Sequence, residues 1–427
     1  MKRIIILFII VNSLFCQTSI SQIKENLREV FIDAEFFLNH DDHEEALYNY
    51  LSIIKKGVTN ANIQYRIGQC YMNIEGKKKE AIPYLIEASK SVTMEYKEGN
   101  PKEIQAPPEV YFYLGQAYQV NQEFDKAIDN FRKYVGFLDP EDLNRAYAKK
   151  QLKTCKNAKE AIKNPKSHVI EKMSQQINNQ SDNIRPVISK DGSTFLFMTR
   201  LKFYDAIFQV KKEGENWSSP KNINKEIKSD GDIYITDISA DGQKLLLVRD
   251  DNFDSDIYYS DYSQEEEQWL PFEEFEDINS KYWESHASIT ADGEKVYFAS
   301  NHKKSKGGMD IFYIEKNDRG KWGKPVPLSD KINTKFNEES PFITSDDSML
   351  FFASQGHEEN IGGYDIYYSK KTGNTWSEPV NLGYPINTPD DELFFSPSAD
   401  GKTGYFSRIN KKDKQDIFKV RLKLEEE

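Results

Sequence analysis

Two series of aspartates, each repeated five times at nearly even spacing, constrain this chain more than any other feature. The first falls in turns at Asp191, Asp241, Asp292, Asp346 and Asp400, at intervals of 50, 51, 54 and 54 residues. The second, Asp205, Asp256, Asp310, Asp365 and Asp416, stands before a hydrophobic-aromatic stretch. The clearest copy runs from Pro341 to Thr388 and reads as four short strands: Phe342–Thr344, Met349–Ser354, Asp365–Ser369 and Pro379–Leu382. Turn residues such as Gly362-Gly363 and Gly373-Asn374 separate them. A four-stranded unit recurring at roughly 40–50 residues is the pattern of propeller blades. In four copies a Trp and a nearby Pro precede the outer strand (Trp217/Pro220, Trp269/Pro271, Trp322/Pro325, Trp376/Pro379), and the fifth copy has no such pair. His168–Asn178 matches the missing stretch, with Ile177-Asn178 aligned on Ile386-Asn387. A strand at 168–173, ahead of the first blade, is therefore expected to complete the last one and remove a free sheet edge. Five blades are expected; a sixth would have to hide in Asp230–Ile238, where the even spacing leaves no room.

Ahead of the propeller, from Ile23 to about Asn164, the apolar period is helical. The copy at Pro108–Pro140 places Leu114, Gly115 and Tyr118 on one helix and Ala127 and Phe131 on the next. Asn62–Ser89 repeats this with Ile67, Gly68, Tyr71, Ala81 and Leu85, and Leu27–Lys56 is a weaker copy with Ala34 and Ala46. The pattern resembles the tetratricopeptide repeat, in which small residues let two antiparallel helices approach. The resemblance implies a solenoid closed by a cap helix at Glu141–Asn164. It also implies a concave groove lined by Asn62, Tyr65, Gln69, Asn73, Glu109, Phe112, Gln116 and Gln119, able to hold a peptide or protein. Gly99–Pro107 interrupts the pattern and is expected to be an extended loop. The fold class expected is α+β and multidomain, with a helical solenoid at 22–164 followed by an all-β five-bladed propeller at 165–424.

Met1–Ser21 has the form of a secretory signal peptide: Lys2-Arg3, an apolar run Ile4–Val11, and a small-x-small end at Ser19-Ile20-Ser21. A periplasmic or envelope location follows, with lipidation at Cys16, and hence an outer-membrane lipoprotein, as the alternative. Without Cys16, Cys70 and Cys155 remain, about 85 residues apart on different helices, and read as free thiols rather than a disulfide. A net charge of −12 lacks the basic footprint that nucleic-acid phosphates require.

The sequence contains no G-x-S-x-G, no H-E-x-x-H, no phosphate-binding glycine loop and no dinucleotide fingerprint, so no cofactor and no catalytic residues are expected. Asp205, Asp256, Asp310, Asp365 and Asp416 recur once per blade, which suits a turn and strand-start device better than chemistry. A five-bladed hydrolase would need one unmatched acid at the centre. Asp250, Asn252, Asp254 and Asp256 alternate, with Asp261 beyond, loosely like a calcium loop, but the glycine that such a loop needs is missing.

The blade pattern, seen best in Ser345-Asp346, Phe352–Ser354, Gly362-Gly363, Asp365-Ile366-Tyr367, Trp376/Pro379 and Ile386-Asn387, resembles the WD40-like (PD40) repeats of the TolB type. Helical repeats followed by such a propeller are similar to the N-terminal part of a Bacteroidetes envelope family. That family includes the PorE-type component of type IX secretion, accompanies PorP/SprF-like outer-membrane proteins, and usually ends in an OmpA-like peptidoglycan-binding domain. Here the sequence stops at Glu427, so that domain, and direct peptidoglycan binding, are not expected. The resemblance implies a non-catalytic periplasmic scaffold whose partners are outer-membrane or secretion-machinery proteins. A glycan- or small-ligand-binding propeller is the second reading.

Overall fold

The computed structural model describes residues 27–179, 181–250, 254–410 and 414–424; the expected signal peptide and Cys16 lie outside them. An N-terminal helical region is followed by an all-β propeller, and contacts divide the chain after Leu152.

In the first unit, α1 (residues 27–39) and α2 (His43–Lys55) are followed by α3 (Ala61–Asn73), α4 (Ala81–Ala88), α5 (Glu109–Val120), α6 (Phe124–Phe137) and the start of α7 (Leu143–Lys163). Starts are set locally: the Asp42 carboxylate accepts from Glu45 N at 3.1 Å and the Asn60 side chain from Ile63 N at 2.9 Å. Each pair closes on a small residue. A Cβ on Gly68 would stand 2.4 Å from Leu85, and one on Gly115 would stand 2.6 Å from Phe131, so only glycine lets α3 meet α4 and α5 meet α6 this closely. In the first pair the fully buried Ala34 and Ala46 lie in one core with Tyr50, Ile53, Ile67 and Cys70. Cys70 and Cys155 are free and buried, and burial pushes both thiols up to about 12. The expected loop folds back by two hydrogen bonds (Thr93 N to Ala106 O, Ala106 N to Ser91 O, both 2.9 Å) and lies over α3.

Among the described residues the second unit contains five antiparallel sheets. Their innermost strands are β2 (Asn183–Ile188), β3 (Ile233–Ile238), β4 (Glu284–Ile289), β5 (Glu338–Ile343) and β6 (Phe395–Pro397). These neighbour one another in that order, and β6 returns to β2, which makes a closed ring. The Asp230–Ile238 region is thus the entry to blade two. Blade four differs from its reading, because its inner strand starts at Glu338, four residues before Phe342. A register shift between Glu339 and Phe342 breaks the alternation that would have marked those residues as strand. In the last blade β1 (Val169–Lys172) pairs antiparallel with β7 (Gln415–Arg421), Val169 opposite Arg421 and Lys172 opposite Phe418. The outer edge of that sheet is therefore supplied from ahead of blade one.

Two devices recur in every blade. Each turn aspartate accepts a hydroxyl two residues before it and a backbone N–H two residues after it. Asp292, for example, takes Thr290 Oγ1 at 2.6 Å and Glu294 N at 3.0 Å, and Asp400 takes Ser398 Oγ at 2.8 Å and Lys402 N at 3.0 Å. The following residue is left-handed, which suits Gly192, Gly242, Gly293 and Gly401, while in blade four Asp347 takes it at φ 54°.

The second device is the Asn of each Ile-Asn pair, whose amide imitates a strand partner. Asn333 accepts from Ile311 N at 2.9 Å and donates to Ile311 O at 3.0 Å; Asn387 does the same with Ile366 at 2.8 and 2.9 Å, and Asn178 with Ile417 at 2.6 and 2.9 Å. Asn333→Ala would leave a buried N–H and C=O unpaired. A loss of about 2–3 kcal/mol is expected in chemical denaturation, against a few tenths for an exposed asparagine such as Asn374.

Candidate functional site

Two of the five repeat aspartates hold backbone. Asp365 accepts Ile361 N at 2.7 Å and Gly362 N at 2.9 Å, and Asp310 accepts Lys306 N at 2.7 Å and Gly307 N at 3.1 Å. Asp416 accepts Lys172 Nζ of the closing strand at 2.6 Å. Asp205 lies on blade one, where burial raises its pKa, and Asp256 faces Arg249 across the blade-two ladder. Of the acidic run read as a possible calcium loop, Asn252 lies outside the described residues and Asp261 is paired with Lys244 Nζ at 2.5 Å. Among the described residues no group of three or more His, Cys, Asp or Glu is arranged to hold a metal.

The expected groove residues are dispersed in exposure. Asn62, Tyr65 and Gln119 are buried, Gln69, Glu109, Phe112 and Gln116 are half-buried, and Asn73 is exposed. The loop over α3 causes the first of these: Tyr96 Oη donates to Asn62 Oδ1 at 2.6 Å and Asn62 N to Ile104 O at 3.3 Å.

At the middle of the propeller ring the five blades stop repeating. The inner strands, with the residue just ahead of the fifth, place Arg185, Tyr234, His286, Glu339 and Phe394 together, a different residue from each blade. The Arg185 guanidinium carbon lies 3.6 Å from the Tyr234 ring centre and 4.0 Å from that of Phe394. His286 contacts the same two rings, at 5.5 and 4.9 Å, and its Nδ1 is 3.2 Å from Glu339 Oε2, which also accepts Ser285 Oγ at 3.0 Å. Register shifts at Ile184/Val187, Ser285/Ala287 and Glu339/Phe342 produce this geometry, because the extra residue leaves Arg185, His286 and Ser340 with φ of 48°, 41° and 52°. Such backbone costs on the order of 1 kcal/mol per residue and collects at functional positions. Burial lowers the pKa of His286, with the Glu339 hydrogen bond opposing, and it raises Tyr234 to about 12, with Arg185 opposing. Sequence reading missed this cluster because it shares no letter from blade to blade.

Beside the ring, a clasp recurs in blades three to five. Glu284 accepts Ser280 N at 3.0 Å, Glu338 accepts Thr334 N at 2.7 Å, and Glu392 accepts Thr388 N at 2.8 Å. Burial, against these hydrogen bonds, lifts Glu284 and Glu338 from 4.5 to about 7 and Glu392 well above its ordinary value. A carboxyl whose folded pKa is raised favours the protonated native state. Its stabilisation is complete below the unfolded value and is lost as pH climbs through the folded one. Thermal stability should therefore fall between pH about 4.5 and about 7, and Glu338→Gln should flatten that decline in a series of melting curves.

No family model matches the chain, and no curated protein matches it. Similar solved structures include TolB from Acinetobacter baumannii, at 15% identity over 58% of this chain and 56% of that one, TM-score 0.38. A thermostable family-43 glycoside hydrolase is similar at 14% identity over 58% of this chain and 92% of that one, TM-score 0.39. The α-L-arabinofuranosidase from Lactobacillus brevis is similar at 15% over the same shares, TM-score 0.39. The chain thus spans little more than half the length of that TolB, and the likeness is a distant one of propeller fold. The expectation that the chain is not an enzyme is corrected here: propellers of this kind include glycoside hydrolases, so the fold does not exclude catalysis. Among the described residues no helix is long and apolar enough to cross a membrane.

Proposed function

We propose that this chain is a periplasmic scaffold of the cell envelope that docks protein partners, outer-membrane or secretion-machinery proteins among them. The observation that carries this reading is a set of exposed large apolar side chains on the first two helices. Ile32 and Phe36, one turn apart on α1, and Tyr48 on α2 are 49%, 56% and 69% exposed. Large apolar side chains left uncovered in this way favour a protein partner. The glycine-closed helix pairs support a tetratricopeptide-like reading of this unit, and the signal-like Met1–Ser21 supports export, with a lipid at Cys16 as the alternative. Crosslinking of the tagged mature chain in native envelopes, followed by mass spectrometry, tests the proposal. Enrichment of outer-membrane or secretion proteins, lost in Ile32→Asp/Phe36→Asp, is expected. Equal capture by that variant would overturn the assignment to these side chains.

A further inference from the structure

We propose that the middle of the propeller ring is a binding site for a small hydroxylated carboxylate, of the sugar-acid class, held between Arg185 and His286. This goes beyond the scaffold reading and does not depend on it. Among the described residues Arg185 forms no ion pair; the Tyr234 hydroxyl is the main group supporting its charge, with Asp205 a weaker one. Arg185 Nη1 is buried with no hydrogen-bond partner, while the guanidinium is clamped between Tyr234 and Phe394. Arg185 is half-buried, and the one carboxylate of the cluster, Glu339, is already engaged by His286 and Ser285, so an entering carboxylate would supply a counter-charge while matching the planar fork of donors.

His286 specifies the rest of the ligand. It is 8% exposed, and its Nδ1 faces the Glu339 carboxylate, which can only accept, so the ring proton sits on Nδ1. Nε2 is then left as a buried acceptor, and it has no partner. Ser340 Oγ, on the matching strained residue of blade four, is likewise buried and unpartnered. The cluster therefore presents a cation calling for an anion and an imidazole nitrogen calling for a donor, both against the same two aromatic rings. A hydroxyl beside a carboxylate meets both needs; a bare carboxylate or a neutral sugar meets one. Native side-chain groups left unpaired together, on left-handed non-glycine backbone, favour a ligand site over packing alone.

Calorimetric titration and melting curves of the mature chain with glucuronate, acetate and glucose test this. Glucuronate should bind saturably and raise the melting temperature, with acetate and glucose each roughly tenfold weaker or more. Arg185→Met should abolish glucuronate binding while melting no lower than wild type, because no ion pair is broken and the apolar side chain keeps the contact with both rings. His286→Leu should leave acetate binding unchanged but erase the preference for glucuronate. Three results would overturn the proposal: no saturable glucuronate binding in the millimolar range, equal binding by Arg185→Met, or a steep fall in that variant's melting temperature. The last would make Arg185 a structural wedge.

Discussion

Asp237→Ala is expected to cost the propeller about 3–5 kcal/mol, the range for removing one partner of a buried ion pair. Asp237 is fully buried on the inner strand of blade two, with Lys190 Nζ of blade one 3.6 Å away. Its Oδ2 accepts Ser288 Oγ at 2.7 Å and Ile289 N at 3.0 Å from blade three, and Lys190 Nζ donates to Ile343 O of blade four at 2.7 Å. One carboxylate and one ammonium thus tie four of the five blades. Truncating the acid strands a buried cation and frees a buried N–H and a hydroxyl in the same step. All five tryptophans (Trp217, Trp269, Trp283, Trp322, Trp376) lie in this unit, so the fluorescence midpoint in urea reads the loss directly. Lys190→Met/Asp237→Leu should recover part of it, since no charge is then left unpaired, while the Ile289 N–H and the Ser288 hydroxyl still lack their acceptor. A midpoint within error of wild type for the single variant would show that the pair does not hold the ring.

Arg66→Ala should have a comparable effect on the helical unit, again about 3–5 kcal/mol. Arg66 is 1% exposed on α3; its Nη2 donates to Glu35 Oε2 at 2.9 Å, and its Nη1 donates to Gln69 Oε1 at 2.9 Å and Glu98 Oε1 at 3.2 Å. Tyr50 Oη donates to the other oxygen of Glu35 at 2.5 Å, and the Tyr65 and Tyr96 rings flank the guanidinium at 5.9 Å. Removing Arg66 would leave the Glu35 charge buried with a single hydroxyl for company. The helical unit contains no tryptophan, so the loss should appear in helical ellipticity during denaturation, with the tryptophan signal unmoved. Glu98, whose side chain is 76% exposed, is the control: Glu98→Ala should cost well under about 1 kcal/mol.

Both networks lay beyond sequence reading for a shared reason. Arg66 and Glu35 are 31 residues apart, and Asp237 and Ser288 are 51 apart, with no fixed offset to recognise. The groove residues illustrate the same limit. Register on α3 places Asn62 and Tyr65 on an open face, but the Ser91–Ala106 loop returns to cover them, a long-range event that helical periodicity does not encode.

The sequence by itself determined the class of this protein, a helical region followed by a five-bladed propeller. The reason is that the blade signals are short-range and repeated. A Ser or Thr two residues before an Asp, and in four of the five copies a glycine after it, write a turn within five letters, and five even copies leave room for five sheets. Only the tertiary structure decided what stands at the middle of the ring. Arg185, Tyr234, His286, Glu339 and Phe394 differ from one another, and each bulge turns its strand by one residue. Alternation along the strand therefore misplaces them, and ring closure alone brings five distant side chains to one point.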